Sequence, residues 1–229
     1  MTVADPESLR DEGGYYLRIF QSSLNLIAHL LVGVVVGCTL LFVVTQGLPL
    51  ALTQRHIVLC VIGYHLLMAE AILSLSNDNG WSSSMKLKDK RRAHTVMQVV
   101  GSLLALFGSF EKMYDKSTNF NTMHGIFGLI AVVFTSVSLV NGLASWYAYE
   151  WRKCCPGNVS KITHICFGSF AFIAASICLC YGFDKTWFRM WATEPFTYTL
   201  ITFTALLTFI IIINPMINFY KKTSRFITK

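Results

Sequence analysis

The sequence is short of charge. Asp, Glu, Lys and Arg make up 14% of its 229 residues, while 54% are hydrophobic. An ordinary soluble domain carries about 25% charged residues. The shortage excludes a soluble globular protein, and apolar runs near the ~20 residues that cross a bilayer recur along the chain. The seven cysteines contain no CxxC pair, so neither a zinc module nor a disulfide framework is indicated. Cys38, Cys60, Cys166, Cys178 and Cys180 fall inside apolar runs, where cysteine behaves as a small hydrophobe. Residues 1–19 lack the basic start and short apolar core of a signal peptide, and the first apolar run is too long to serve as one.

The apolar runs number six, at about 24–45, 56–76, 94–110, 122–147, 162–183 and 196–220. All should be helices, because lipid offers backbone N–H and C=O groups no other partners. The expected fold is an all-α polytopic membrane protein. A polar tail (1–19) precedes a six-helix transmembrane domain (20–220), and a basic tail (221–229) follows it. The third run is the shortest, Pro215 lies near the end of the sixth, and residues 184–195 read as a loop with Trp187 and Trp191 as interfacial anchors.

The net charge of +7 does not indicate nucleic acid, because the basic residues concentrate in alternate loops. Lys86, Lys88, Lys90, Arg91 and Arg92 follow the second span. Arg152, Lys153 and Lys161 follow the fourth, and Lys221, Lys222, Arg225 and Lys229 end the chain. The opposite loops hold only Arg55, Lys112, Lys116, Lys185 and Arg189. By the positive-inside rule the basic loops and both termini face the cytosol. The Asn158-Val159-Ser160 sequon is then cytosolic and carries no glycan.

Four histidines stand at the starts of spans two to five: His56, His94, His124 and His164. Spans two and four start on the non-cytosolic side, so His56 and His124 share one depth. His94 and His164 share the other. Facing inward across a four-helix core, the place where bundles hold cofactors, each pair suits the two axial positions of a haem iron. Filling both positions leaves no open site for oxygen or substrate and makes the haem an electron carrier. Gly125, Gly128, Gly168 and Ser169 would let a flat macrocycle approach, although small residues also serve plain helix packing. Two ligands at each depth, with no nearby cysteine or carboxylate, do not complete a zinc site. His29 and His65 stand alone and are left out of the site.

These residues resemble the cytochrome b561 family. The likeness is carried by His56 with Glu70-Ala71, by Arg92-Ala93-His94-Thr95-Val96-Met97-Gln98, by His124-Gly125 with Gly128, and by His164 with Gly168. It covers about residues 15–222 and is nearest to the single-domain branch. The resemblance implies a transmembrane ascorbate-dependent ferric reductase with two haem b groups, ligated by His56/His124 and His94/His164. Cytosolic ascorbate would be the donor, and a ferric iron chelate or monodehydroascorbate the acceptor. It also implies an endomembrane location rather than the plasma membrane, and homodimerisation. Ile57 and the Ile72-Leu73-Ser74-Leu75-Ser76 stretch depart from the proline and the Tyr-Arg sequence that many relatives carry there.

Ascorbate is a monoanion at neutral pH, so a cationic patch beside the inner haem would concentrate it. Lys90 and Arg92, close to His94, and Arg152 from the next cytosolic loop are the candidate contacts. The same cluster also meets the orientation rule with no substrate role. Two other classes compete: a haem-free proton-coupled transporter using intramembrane His and Glu70, and a membrane scaffold. Few polar residues lie between the two histidine depths, and no pair of broken helices is evident, which weighs against the transporter.

Overall fold

The computed structural model describes residues 6–146 and 157–227, with side chains over 14–146 and 159–225. Among the described residues every regular element is a helix. The order is α1 (Pro6–Thr45), α2 (Leu52–Leu73), α3 (Leu87–Asp115), α4 (Met123–Trp146), α5 (Gly157–Phe183), the short α6 (Thr186–Ala192) and α7 (Glu194–Ile227). Six of these are long and apolar enough to cross a membrane. Leu30, Leu103, Phe107, Val133, Phe170 and Phe209 point outward along them, each more than half or half exposed. Such surfaces need lipid around them. The protein is an integral, multi-pass membrane protein.

The boundaries follow local chemistry. Gly47 adopts φ +97°, the left-handed conformation that costs glycine little, and so closes α1. At the start of α2 the Gln54 side chain accepts from the Ala51 backbone N–H at 2.5 Å, satisfying a donor the helix cannot. In mid-span, α2 widens into a π-helix over Val61–Met68. The wider turn buries Gly63, Tyr64 and His65 in succession. Here α2 meets α3 backbone to backbone: a Cβ on Gly63 would stand 2.6 Å from the Gly101 carbonyl oxygen, and one on Gly101 would stand 2.8 Å from that of Gly63. Only glycine permits so close a crossing.

Four expectations need correction. The third span is 29 residues long, not the shortest, and the basic cluster from Lys88 to Arg92 forms its first turns instead of a loop. Lysine and arginine are good helix formers, so the helix continues past its apolar part. The stretch after α5 contains α6, whose Trp187, Phe188 and Trp191 pack around Phe42 with ring centroids 4.8, 4.9 and 5.3 Å away. Pro215 lies well inside α7, which runs on to Ile227.

Helices α2 and α3 pack as one hairpin and α4 and α5 as another, while α1 and α7 lie against their flanks. At one end of the bundle lie the starts of α2 and α4. At the other lie the starts of α3 and α5.

Candidate functional site

The four span-starting histidines come together in the two expected pairs. His56 and His124 have ring centroids 6.2 Å apart at an interplanar angle of 85°. His94 and His164 are also 6.2 Å apart, at 86°. The rings of each pair stand edge to face. The separation is that of two imidazoles on opposite sides of one metal ion, with a metal–nitrogen bond of about 2 Å and roughly 1.1 Å more to each ring centre.

Each ring is oriented by a backbone carbonyl. His56 Nδ1 lies 3.0 Å from the Gly108 oxygen, and His94 Nδ1 lies 2.8 Å from that of Ala71. His124 Nδ1 lies 2.9 Å from the Cys178 oxygen, and His164 Nδ1 lies 3.0 Å from that of Ser138. A carbonyl only accepts, so every Nδ1 carries the proton and every Nε2 keeps its lone pair for a ligand. This is the usual outer support of a metal-bound histidine. The bonds are reciprocal within each hairpin. The α2 histidine leans on an α3 carbonyl and the α3 histidine on an α2 carbonyl, and α4 and α5 repeat the exchange.

Among the described residues no cluster of three or more His, Cys, Asp or Glu is placed to hold a bare metal ion. Two imidazole nitrogens per site would suit a group, such as a haem, that brings its other metal ligands with it. The two surroundings differ. Cys60 Sγ lies 3.5 Å from His56 Nδ1, and Cys178 Sγ lies 3.4 Å from His124 Nδ1. At the other end the Ser138 hydroxyl lies 3.2 Å from His164 Nδ1.

The small residues divide by role. A Cβ on Gly128 would stand 3.4 Å from Cys178 Sγ, and one on Gly168 3.0 Å from Ser138 Oγ. Gly125 sits against the Phe120 backbone, and Ser169 is buried. A Cβ on Gly142, which the sequence did not single out, would stand 3.0 Å from His164 Cε1.

Of the cationic candidates, Arg92 is exposed, with one guanidinium nitrogen 3.4 Å from Asp89 Oδ1. Lys90 is instead 2% exposed. Its ammonium donates to the Ser76 carbonyl at 2.8 Å and to Asn77 Oδ1 at 3.2 Å. It pins the turn between α2 and α3, where the sequence had suggested a substrate contact. Arg152 lies outside the described residues.

His29 is not the loner its position suggested. Its Nδ1 lies 2.7 Å from Glu70 Oε1 and its Nε2 2.7 Å from Asn79 Oδ1. Trp81 Nε1 donates to the second Glu70 oxygen at 3.1 Å. His65 is buried among apolar side chains, its ring centroid 6.0 Å from that of Phe172. Neither of its nitrogens has a hydrogen-bond partner.

Residues 55–189 match the family model for eukaryotic cytochrome b561. The chain is 27% identical to the Mus musculus protein named transmembrane reductase CYB561D2 over 217 residues, covering 93% of this chain and 95% of the relative. It is 27% identical to the Homo sapiens protein of the same name over 207 residues, covering 89% and 91%. The Bos taurus protein of that name is 26% identical over 217 residues.

Proposed function

The chain belongs to the eukaryotic cytochrome b561 family, and from that membership we propose that it moves electrons across the membrane through two b-type haems. The donor would be cytosolic ascorbate. The acceptor would be a ferric iron chelate or monodehydroascorbate on the non-cytosolic side. The observation that carries this reading is the pair of matched histidine sites at opposite ends of the bundle, each 6.2 Å between ring centroids. Transmembrane reductase activity, named for the relatives, suits such an arrangement.

His56 and His124 would hold the outer haem, and His94 and His164 the inner one. A haem held by these residues would supply one-electron chemistry. The carbonyl of Ala71 keeps His94 Nε2 aimed inward, and Gly108, Cys178 and Ser138 do the same for the others. A fixed tautomer and ring angle limit reorganisation when charge changes. At the cytosolic face, exposed Arg92 would raise the local concentration of an anionic donor.

At the His56 end the acids are paired with bases. Glu111 lies 2.5 Å from Arg55, Asp115 lies 2.7 Å from Lys112, and Arg189 spans Asp184 and Glu194. Acids so neutralised do not form a nest for bare iron, which prefers clustered oxygen ligands. A brief encounter with an anionic chelate or organic radical suits that surface better. We place the protein in an endomembrane with both termini cytosolic, and as a homodimer.

The decisive experiment is a dithionite-reduced minus oxidised spectrum of purified protein, with haem counted per polypeptide. Two low-spin b-type haems are expected, each reducible by ascorbate. A colourless protein from haem-replete cells would end the proposal.

A further inference from the structure

Four carbonyls orient the paired histidines, and one of them is placed differently. Gly108, Cys178 and Ser138 lie inside α3, α5 and α4, where each carbonyl also takes the helix's own hydrogen bond from the N–H four residues on. Ala71 lies in the last turn of α2. The Leu75 N–H, which would reach its oxygen in a continuing helix, goes to Ile72 at 3.3 Å. The final carbonyls of a helix have no partner within it, so the Ala71 oxygen is fixed only by what surrounds it.

A closed set of hydrogen bonds does the fixing. Ser74 Oγ donates to the Ala71 oxygen at 2.8 Å, beside the bond from His94 Nδ1 at 2.8 Å. The Ser74 carbonyl accepts from Ser82 Oγ at 2.8 Å, and Ser82 Oγ accepts from Asn79 Nδ2 at 2.9 Å. Asn79 Oδ1 therefore faces His29 Nε2, 2.7 Å away, and His29 Nδ1 reaches Glu70 Oε1, also at 2.7 Å. Glu70 immediately precedes Ala71. Its own carbonyl accepts from the Ser74 N–H at 2.8 Å, and Trp81 Nε1 holds its other carboxylate oxygen. The circuit thus returns to its start. Ser74, Asn79 and Ser82 are wholly buried, and a buried network with every member satisfied is rigid.

His29 is the member that comes from elsewhere. It stands on α1, and among the described residues no other hydrogen bond joins α1 to α2 or to the turn after it. Next to it a cavity of about 380 Å³ lies between α1 and the turn residues Asp78 and Ser83. Asn79 Oδ1 only accepts, so Nε2 carries a proton. The Glu70 contact holds another, because a bare Nδ1 would set two acceptors 2.7 Å apart.

We propose that His29 is a positioning residue for the inner histidine pair. It locks Glu70 and Asn79, and through them the Ala71 carbonyl that orients His94. His56, His124 and His164 lean on carbonyls that need no such lock. This assignment rests on the reading above that His94 and His164 hold a haem. A firm Ala71 acceptor makes the His94 ring more basic and favours ferric iron. Loosening it should raise the potential of that haem and leave the other alone.

The test uses purified, haem-loaded protein in spectroelectrochemical titrations and electron paramagnetic resonance, with the inner haem identified by its loss from His164→Leu. In His29→Phe the inner haem should shift to higher midpoint potential with a changed low-spin signal, while the outer haem keeps its wild-type values. His29→Gln, whose amide can donate to both partners, should recover part of the shift. Ser82→Ala, which removes one hydroxyl from the circuit, should give a smaller shift of the same sign. If His29→Phe does not load haem, Ser82→Ala decides alone. An unmoved inner haem, or equal movement of both, would overturn the positioning role while leaving two haems in place. A wild-type protein without two haems would remove the reading beneath it instead.

Discussion

The two ends of the bundle present one geometry in two chemical settings. Ring separations and angles match, and all four Nδ1 atoms face backbone carbonyls. The His56 end adds two thiols beside the rings and an outer belt of ion pairs. The His94 end adds a hydroxyl, a clamped turn and a cavity beside that turn. The first set of features specifies how a ligand is held. The second specifies what reaches it. Backbone carbonyls set the ring geometry, which leaves the surrounding side chains free to differ between the two ends.

Replacing a ligand histidine should break the comparison most severely. His94→Leu or His164→Leu is expected to remove one haem and spare the other, so that haem per polypeptide falls by about half. His56→Leu or His124→Leu should remove the opposite one. Loss of both haems from either change would mean that the ends are not independent. Absorption spectra with a pyridine haemochrome count would tell.

Gly63→Val should damage both ends together, because it wedges apart the mid-span crossing of α2 and α3, where even a Cβ would stand 2.6 Å from a carbonyl oxygen. Overpacking of this kind costs about 1–3 kcal/mol. A thermal melt followed at the haem absorbance should show a lower midpoint, with both haems released together.

Smaller changes separate the settings. Cys60→Ala and Cys178→Ala should move the midpoint potential of the His56-end haem by something on the order of tens of millivolts, through altered hydrogen bonding at Nδ1. Ser138→Ala should move only the His94-end haem. A spectroelectrochemical titration resolves the two, and a shift at the wrong end would refute the placement. Smallest of all, Arg92→Gln should slow ascorbate reduction by less than about twofold at physiological salt, because an exposed cation acts mainly by screened attraction. Stopped-flow rates at low and high salt should converge for variant and wild type as salt rises.

The two histidine pairings were legible because topology fixes the depth at which each span starts. Their supports were not. Gly108, Ala71, Cys178 and Ser138 contribute a carbonyl, which every residue has, so nothing in their side chains announces the role. His29 looked isolated because Glu70 and Asn79 lie 41 and 50 positions further along. Lys90 looked like a surface charge because four other basic residues surround it. Only the fold shows its aliphatic stem buried and its ammonium spent on the turn. The length of α3 was misjudged because hydropathy marks where a helix is greasy, not where it begins.

The reciprocal carbonyl bonds also bear on how the protein is made. Each hairpin holds its own two histidines in place, but each site draws one histidine from either hairpin. During synthesis α2 and α3 can insert and set their rings with no cofactor present. Both pairings are complete only once α5 is in place, because His164 and the Cys178 carbonyl that orients His124 lie on that helix. On the proposed reading, haem bound across either pair would fasten the two hairpins into one body.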